Sequence, residues 1–184
     1  MGFDVHGVQP KIIGKKPEID WDADPSDEER DKYFDEKDTF LLNNPGVYFR
    51  NNVWWWRPLW HYICSEVAPN ILSDEDKEMG DYNDYHLITA IKATYIADRI
   101  DELDKSGELK AFEEKYRRSQ EALPKEKCTI CDGTGERNDE HVKGKCNACE
   151  EGMKENWAKS YPFDADNVRE FAKFARASGG FEIG

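Results

Sequence analysis

The sequence contains no long hydrophobic run and no excess of positive charge. No stretch approaches the roughly 18 apolar residues that a membrane-spanning helix requires, so we expect a soluble protein without membrane association. Lys and Arg total 26 against 39 Asp and Glu, a net charge of −13. This charge opposes binding to phosphate backbones, because those contacts are chiefly cationic. Direct nucleic-acid binding is therefore disfavoured.

The common catalytic and cofactor-binding motifs are also lacking. There is no Gly-rich phosphate loop, no Gly-x-Ser-x-Gly elbow, no His-Glu-x-x-His and no dinucleotide fingerprint. Residues 1–14 lack the basic start and apolar core of a secretory signal peptide. Five cysteines, four of them in a metal-binding pattern, fit a reducing compartment. We expect a cytoplasmic protein; whether it is an enzyme stays open, with a binding protein favoured.

Four cysteines form two pairs with the spacing of metal ligands. The first pair is Cys128-Thr-Ile-Cys131 and the second, after fourteen residues, is Cys146-Asn-Ala-Cys149. Two residues between thiolates let a tight turn aim both sulfurs at one ion, and two such turns supply the tetrahedral set that zinc prefers. This predicts one structural Zn²⁺ ion with no open coordination position. The alternatives are two disulfides, which would require a secreted origin, or competition by His141 as a ligand.

The first cysteine pair continues as Cys131-Asp-Gly-Thr-Gly135, whose glycines allow positive φ while backbone amides turn towards the sulfurs. This extended pattern resembles the cysteine-rich domain of DnaJ-type co-chaperones. The second pair departs from it, with Glu151 and Met153 where that pattern has glycines. About 25 residues match and nothing resembles a J domain, so the resemblance implies a zinc site and no chaperone function.

Hydrophobic periodicity predicts an α+β protein, with a mainly helical body, a small sheet and an inserted four-cysteine zinc ribbon. A strand at Phe3 to Val8 and another at Gly179 to Ile183 alternate in polarity and are expected to pair. A central helix is predicted from Tyr85 to Lys105. The predicted divisions are an N-terminal strand (1–14), an acidic insertion (15–46), a helical core (47–124), a zinc-binding lobe (125–155) and a C-terminal helix and strand (156–184).

The acidic insertion, 15–46, differs sharply from the rest in composition. Between Glu18 and Asp38 there are eleven acidic and three basic residues. Ser26 followed by Glu29 forms a capping box that predicts a helix to about Lys37. The segment is either a solvated, partly mobile insertion or an acidic surface that docks on a basic partner or mimics a phosphate backbone.

The run from Tyr48 to Trp60 has four tryptophans within seven residues. We expect an extended run in which Trp54 and Trp56 point away from Trp55, followed by a helix that starts at Pro58. The tryptophans either form an aromatic core with satisfied indole N–H groups or line a cleft for a nucleotide-like ligand. The candidate ligand-binding residues are Arg50, Asn51, Asn52, Trp54, Trp56, Arg57 and Trp60.

A wider resemblance involves the start Gly2-Phe-Asp-Val5, the Tyr48–Trp60 run, both cysteine pairs and the ending Gly179-Gly-Phe-Glu-Ile183. Together they resemble a family of small uncharacterised proteins encoded mainly by bacteriophages. Compared with that family, residues of about 11–46 would be an insertion in this chain. The resemblance implies a viral or prophage origin and a host-cell location, but no activity. We expect a zinc-binding accessory protein that binds a host protein, with counter-defence or host takeover as the role. The alternatives are a small-molecule or nucleotide-binding protein and an acidic nucleic-acid mimic; the oligomeric state is left open.

Overall fold

The computed structural model describes residues 2–184 and divides them into two compact units. The first unit comprises residues up to 110 together with 164–184, and the second comprises 111–163. Helices predominate and all strand pairs are antiparallel, which confirms the predicted α+β class. The predicted zinc-binding lobe, 125–155, lies within the second unit. None of the helices within 2–184 has the length and apolar composition needed to cross a membrane.

The elements follow one another along the chain as helices and short strands. In chain order they are β1 (Gly2–Gly7), α1 (Asp27–Asn43), β2 (Tyr48–Asn52), α2 (Val53–Tyr62), a π-helical turn (Ile63–Val67), α3 (Asp74–Met79), β3 (His86–Ile88), α4 (Ala90–Ser106), α5 (Glu108–Glu121), β4 (Glu126–Lys127), β5 (Glu136–Asn138), β6 (Lys143–Lys145), β7 (Met153–Lys154), a 3-10 turn (Trp157–Ser160), α6 (Ala165–Ala177) and β8 (Phe181–Ile183).

The main sheet of the first unit brings the two ends of the chain together. Its strand order is β2-β1-β8-β3, so the N-terminal strand pairs with β2 on one side and with the C-terminal strand on the other. Val5 lies opposite both Phe49 and Ile183. This confirms the predicted pairing of the terminal strands. Alternate residues of β1 and β8 are buried on the side facing the helices, as the period of a half-buried strand requires.

The acidic insertion lies between two adjacent strands, because β1 ends at Gly7 and β2 begins at Tyr48. The capping box at Ser26 is present as predicted, and α1 extends beyond the expected Lys37 to Asn43. Buried Asn44 holds the segment in place. Its side chain accepts a hydrogen bond from the Ile13 N–H (2.6 Å) and donates to the Ile13 and Phe40 carbonyls (3.0 and 2.8 Å).

The tryptophan-rich run is helical, and the predicted extended run at 54–56 was wrong. Asn52 caps α2 by accepting hydrogen bonds from the N–H groups of Trp54 (3.0 Å) and Trp55 (3.2 Å), so the helix begins at Val53 rather than at Pro58. Helical spacing places Trp56 and Trp60 one turn apart, with their rings stacked at 5.6 Å. The sequence pattern missed this because the strand signal of Tyr48 to Asn52 continues into β-favouring residues.

The start of the predicted central helix was also wrong. His86–Ile88 forms an edge strand, and α4 begins only at Ala90. The helix α4 packs against α6. Two arginines of α6 fasten the helix pair, with Arg169 bound to Asp104 (2.9 and 2.7 Å) and Arg176 bound to Asp98 and Asp101. The buried residues of α4 are Ala93, Ile96, Ala97, Ile100 and Leu103.

Close packing around Trp60 leads to a first prediction. A methyl group on Gly80 would lie 2.0 Å from the Trp60 ring, although the backbone there has ordinary helical angles. Gly80→Ala should therefore lower the free energy of unfolding by about 1–3 kcal/mol through overpacking. Gly2→Ala is the control, since its added methyl would make only ordinary contacts, the nearest at 3.5 Å. Equal denaturation midpoints for the two variants would contradict this packing.

A second prediction concerns Asp76, whose side chain is 4% exposed. Burial alone would raise its pKa, but hydrogen bonds from Lys92, His86 and the Ser73 N–H outweigh that and lower the pKa to about 2. Because this value lies below the ordinary one, the carboxylate stabilises the fold above about pH 4, and this contribution is lost as the pH falls towards 2. Asp76→Asn should cost about 2–3 kcal/mol at neutral pH.

Chemical denaturation between pH 2 and 7 measures this contribution. The gap between wild type and Asp76→Asn should narrow as the pH approaches 2, whereas the exposed neighbour Asp74→Asn should differ little from wild type at any pH. A gap that stays constant with pH would show that the carboxylate charge of Asp76 contributes nothing.

Candidate metal centre

The four cysteines lie at two turns of the second unit. Strands β4 and β5 flank the first turn, and β6 and β7 flank the second. Strand β4 pairs with β7 and β5 pairs with β6, so both strands that flank the first turn are paired with strands that flank the second. Each turn is thus held at both ends by strand pairing.

The sulfur atoms of the quartet are arranged as a ligand set. All four lie within 4.8 Å of one another, and the Sγ atoms of Cys131 and Cys149 are 3.6 Å apart. A tetrahedral zinc site with Zn–S bonds of about 2.3 Å has sulfur–sulfur edges of about 3.8 Å. A disulfide needs about 2.05 Å, and all four cysteines are free thiols. The geometry therefore fits a metal ion and not the disulfide alternative.

Two backbone hydrogen bonds tie the turns to each other. The Cys128 N–H donates to the Gly152 carbonyl, and the Cys146 N–H donates to the Gly135 carbonyl, both at 2.8 Å. The first cysteine of each pair is therefore fixed to the glycine that follows the other pair. This reciprocal arrangement sets the spacing of the sulfurs through the backbone as well as through strand pairing.

Glycines at positive φ allow both turns to close. Gly133 and Gly135 have φ of +77° and +78°, and the Gly135 N–H points at the Cys131 sulfur (3.4 Å), as the sequence predicted. The second turn solves the same problem differently. Glu151 and Gly152 both have positive φ and form a two-residue hairpin turn between Glu150 and Met153. This explains how the second pair dispenses with the glycines of the DnaJ-type pattern.

The cysteines are also the interior of this unit. Within 111–163, all of which the structure describes, the only buried residues are Cys128, Cys131, Cys146 and Gly152, with Cys149 half-buried. Phe112, Tyr116 and Phe163 pack on one another there, and each of these rings stays partly exposed. A unit of this size with so little buried apolar surface needs a cross-link or a metal ion to be stable.

The backbone favours a thiolate at Cys131, whereas burial and hydrogen bonds with the other cysteines raise the pKa of Cys149 to about 12. Burial opposes ionisation of Cys131, but hydrogen bonds from the Gly135 and Gly133 amides and from neighbouring thiols lower its pKa to about 6. Thiolates are the form that binds metals. Sulfur-only ligands select zinc, iron–sulfur or copper(I) over magnesium or calcium, and a tetrahedral set without an open position is typical of structural zinc.

The other predicted ligand for this site does not join it. His141 is exposed and lies beside Glu140, 3.4 Å from its carboxylate. Cys64 of the first unit lies in the π-helical turn, where burial raises the pKa of its thiol to about 12. Within 2–184 the quartet is the only set of three or more Cys, His, Asp or Glu side chains placed to share one ion.

The structure separates the residues of the predicted ligand cleft. Trp56 and Trp60 are fully buried, and their indole N–H groups donate to the Gly80 carbonyl (2.8 Å) and the Lys77 carbonyl (3.0 Å). Neither ring offers a face to a ligand, so these two tryptophans belong to the aromatic core rather than to a cleft. The remaining members are at least partly exposed: Arg50, which lies 3.6 Å from the Asp4 carboxylate, Asn51, Asn52, Trp54 and Arg57.

Three surface cavities lie away from that run. The largest has a volume of about 660 Å³ and lies between the segment around Lys15 and helix α1. The others, about 490 and 350 Å³, lie beside Tyr95 and beside Tyr33. Charged side chains line all three, and no set of catalytic groups converges on them among the lining residues.

Comparison with protein-family models, with curated proteins and with solved structures finds no match for this chain.

Loss of a single ligand tests the structural role of the quartet. Cys128→Ser should abolish stoichiometric zinc binding and unfold the second unit, because metal binding in such sites contributes about 10 kcal/mol to folding. Hydrogen exchange should become fast across 125–155 and stay slow in the main sheet. Cys64→Ser is the matched control and should retain both the metal and the protection. Slow exchange of 125–155 in the Cys128→Ser protein would show that the metal is not structural.

The turn geometry makes a separate prediction. A methyl group on Gly152 would lie 2.1 Å from the Gly133 carbonyl oxygen, whereas one on Gly144 meets nothing within 4 Å; both residues have positive φ. Gly152→Ala should weaken zinc binding at least about tenfold in chelator competition, since backbone atoms that hold the cysteines must move. Gly144→Ala, which carries similar backbone strain without the clash, should lose much less. Equal losses of zinc affinity in the two variants would show that the close contact between Gly152 and Gly133 does not help to hold the cysteines in place.

Proposed function

We propose that this protein is a non-enzymatic zinc-binding protein that acts by binding another protein. The metal-binding part of this proposal depends on the closed set of four cysteine sulfurs, in a unit whose fully buried side chains are those of Cys128, Cys131 and Cys146. Such a site holds a fold together and leaves no coordination position for a substrate. The zinc ion therefore has a structural role, and function depends on the surfaces of the two units.

The charge distribution supports a basic partner for the first unit. That unit contains 28 acidic and 16 basic residues, whereas the second contains 11 and 10. Nearly the whole negative charge thus belongs to the first unit. Residues 18–38, with eleven acidic and three basic residues, are its most acidic part. A concentrated field of one sign steers a partner of opposite charge and raises the rate of association.

The acidic insertion is built as an appendage on a complete sheet. It leaves and re-enters between two paired strands, and it is held at Asn44 and Phe40 near its return. Its carboxylates on α1 face solvent, since within 27–39 only Arg30 and Tyr33 are even partly buried. A segment of this kind can contact a partner without altering the core. The resemblance to phage-encoded proteins makes a host protein the proposed partner, and counter-defence or host takeover the proposed role.

A partner that normally binds nucleic acid is one source of such a basic surface, so phosphate mimicry by α1 is a special case of this proposal. The nucleotide-cleft alternative loses two of its stacking residues, because Trp56 and Trp60 are in the core. No geometric feature of the structure favours that alternative over protein binding.

A charge-neutralised variant tests the proposal. Four exposed carboxylates of α1 are replaced by their amides, and the control replaces four exposed acids elsewhere. The wild type, the α1 variant and the control variant are each used to capture proteins from bacterial extract, and the captured amounts are compared. The partner that the wild type enriches is then purified and titrated with each of the three proteins at several salt concentrations. The test changes are Asp31→Asn, Asp35→Asn, Glu36→Gln and Asp38→Asn; the control changes are Glu75→Gln, Glu78→Gln, Glu140→Gln and Glu170→Gln.

The α1 variant should bind the purified partner about 10- to 100-fold more weakly, since each exposed ion pair contributes about 0.2–1 kcal/mol. The affinity of the wild type should fall as salt rises, and the control should bind like wild type. Replacing residues 10–45 by a short Gly-Ser linker should abolish binding while leaving the melting temperature of the sheet domain nearly unchanged. Failure of wild type to enrich any protein above an unrelated acidic control would overturn the proposal.

A further inference from the structure

One edge of the main sheet ends in a strand with unpaired backbone groups. Strand β3 pairs with β8 on one side and is last in the strand order. The two glycines that flank β8 bond away from β3, Gly184 with Asp4 of β1 and Gly180 with Val8 just after β1. Backbone groups alternate sides along an antiparallel ladder, so Phe181 and Ile183 bond towards β3, through Ile88 and His86. The N–H and C=O of Leu87 therefore point out from the sheet.

Apolar side chains surround this edge. Leu87 is 47% exposed, Tyr85 before it is 69% exposed, and Ile91 in the first turn of α4 is 82% exposed. Tyr95, one turn beyond Ile91 on the same side of the helix, is also exposed. Native proteins usually protect an open edge with a charged residue, a proline, a bulge or a very short strand, because the edge offers a template for another strand. Residues 86–88 contain no Asp, Glu, Lys, Arg or Pro and pair with β8 without a bulge, so of these devices β3 has only its short length.

The charge pattern at this edge differs from the rest of the chain. Residues 85–97 contain no acidic residue, although carboxylates flank the stretch at Asp84 and Asp98 and Glu182 lies opposite Leu87 on β8. The one basic residue of the stretch, Lys92, is bound to Asp76, as is His86. Two copies of a protein with a net charge of −13 repel each other wherever carboxylates meet. At this edge two copies can approach without bringing carboxylates of the stretch together.

We propose that the β3 edge is a self-association surface, through which two copies pair their β3 strands antiparallel about a twofold axis at Leu87. In this arrangement the Leu87 N–H of each copy donates to the Leu87 carbonyl of the other, so both unpaired groups are satisfied by the same residue of the second copy. A twofold axis requires this self-complementarity. The two four-stranded sheets become one sheet of eight strands.

The contact is short, which makes the dimer weak and reversible. Tyr85 has a positive φ of 57° and ends the extended segment on one side, and α4 begins at Ala90 on the other. Two backbone hydrogen bonds and the apolar contacts of Leu87 and Ile91 are what such a pairing contributes. Complexes with small interfaces of this kind are typically transient.

Sedimentation velocity of the zinc-loaded full chain, from about 1 μM to about 1 mM, tests the proposal. The wild type should show a monomer–dimer equilibrium. Leu87→Lys places a charge on the edge and should raise the dissociation constant at least about tenfold. Leu42→Lys makes the same change at a residue that is 82% exposed in α1 and should have no effect. Because the readout is the mass of the purified protein, it does not depend on the partner proposed above.

Leu87→Pro separates strand pairing from simple apolar contact. It removes an N–H that has no partner within the chain, so the monomer should keep its melting temperature while the dimer is lost. A wild type that stays monomeric throughout the range, or a dimer that tolerates both Leu87→Lys and Leu87→Pro, would overturn the proposal. A dimer that is weakened by Leu87→Lys but not by Leu87→Pro would be held by side-chain contacts rather than by strand pairing. That result would also overturn the proposal.

Discussion

Four cysteine sulfurs approach one another within 4.8 Å in a unit that fully buries no other side chain. Thiolates at that distance repel each other strongly unless a cation lies between them, and neutral thiols gain little from the contact. The two turns, their reciprocal hydrogen bonds and the short strand pairs all converge on this arrangement. An ion bound there would replace that local repulsion by the main stabilising interaction of the second unit.

The first unit is stabilised in the usual way, by apolar burial. Stacked Phe3, Trp56 and Trp60 join the sheet to helix α2, and Phe171 of α6 completes the cluster. The indole N–H groups of Trp56 and Trp60 donate to backbone carbonyls, so the two rings are buried without leaving a polar group unpaired. The two units therefore differ in what stabilises them: removal of a metal should affect one, and packing mutations such as Gly80→Ala should affect the other.

Features with local physical causes were predictable from the sequence. The cysteine spacing identifies all four ligands, the capping box identifies the start of α1, and alternation at both termini identifies a strand pair. The errors arose where tertiary context decides. Nothing local distinguishes a β-favouring tryptophan run from a helix capped by Asn52. The helical pattern likewise extended backwards over His86–Ile88, because pairing with β8 determines that strand. The turn at Glu151 and Gly152 was recognised only as a departure from a glycine pattern.

Native mass spectrometry of the chain, purified without added metal or chelator, tests the central claim most directly. We expect one species whose mass exceeds the mass calculated from the sequence by a single zinc ion. On acidification it should lose this ion and, at the same time, the narrow low-charge distribution of a compact protein. A metal-free protein of the same compactness, or one lighter by the hydrogens of two disulfides, would contradict it.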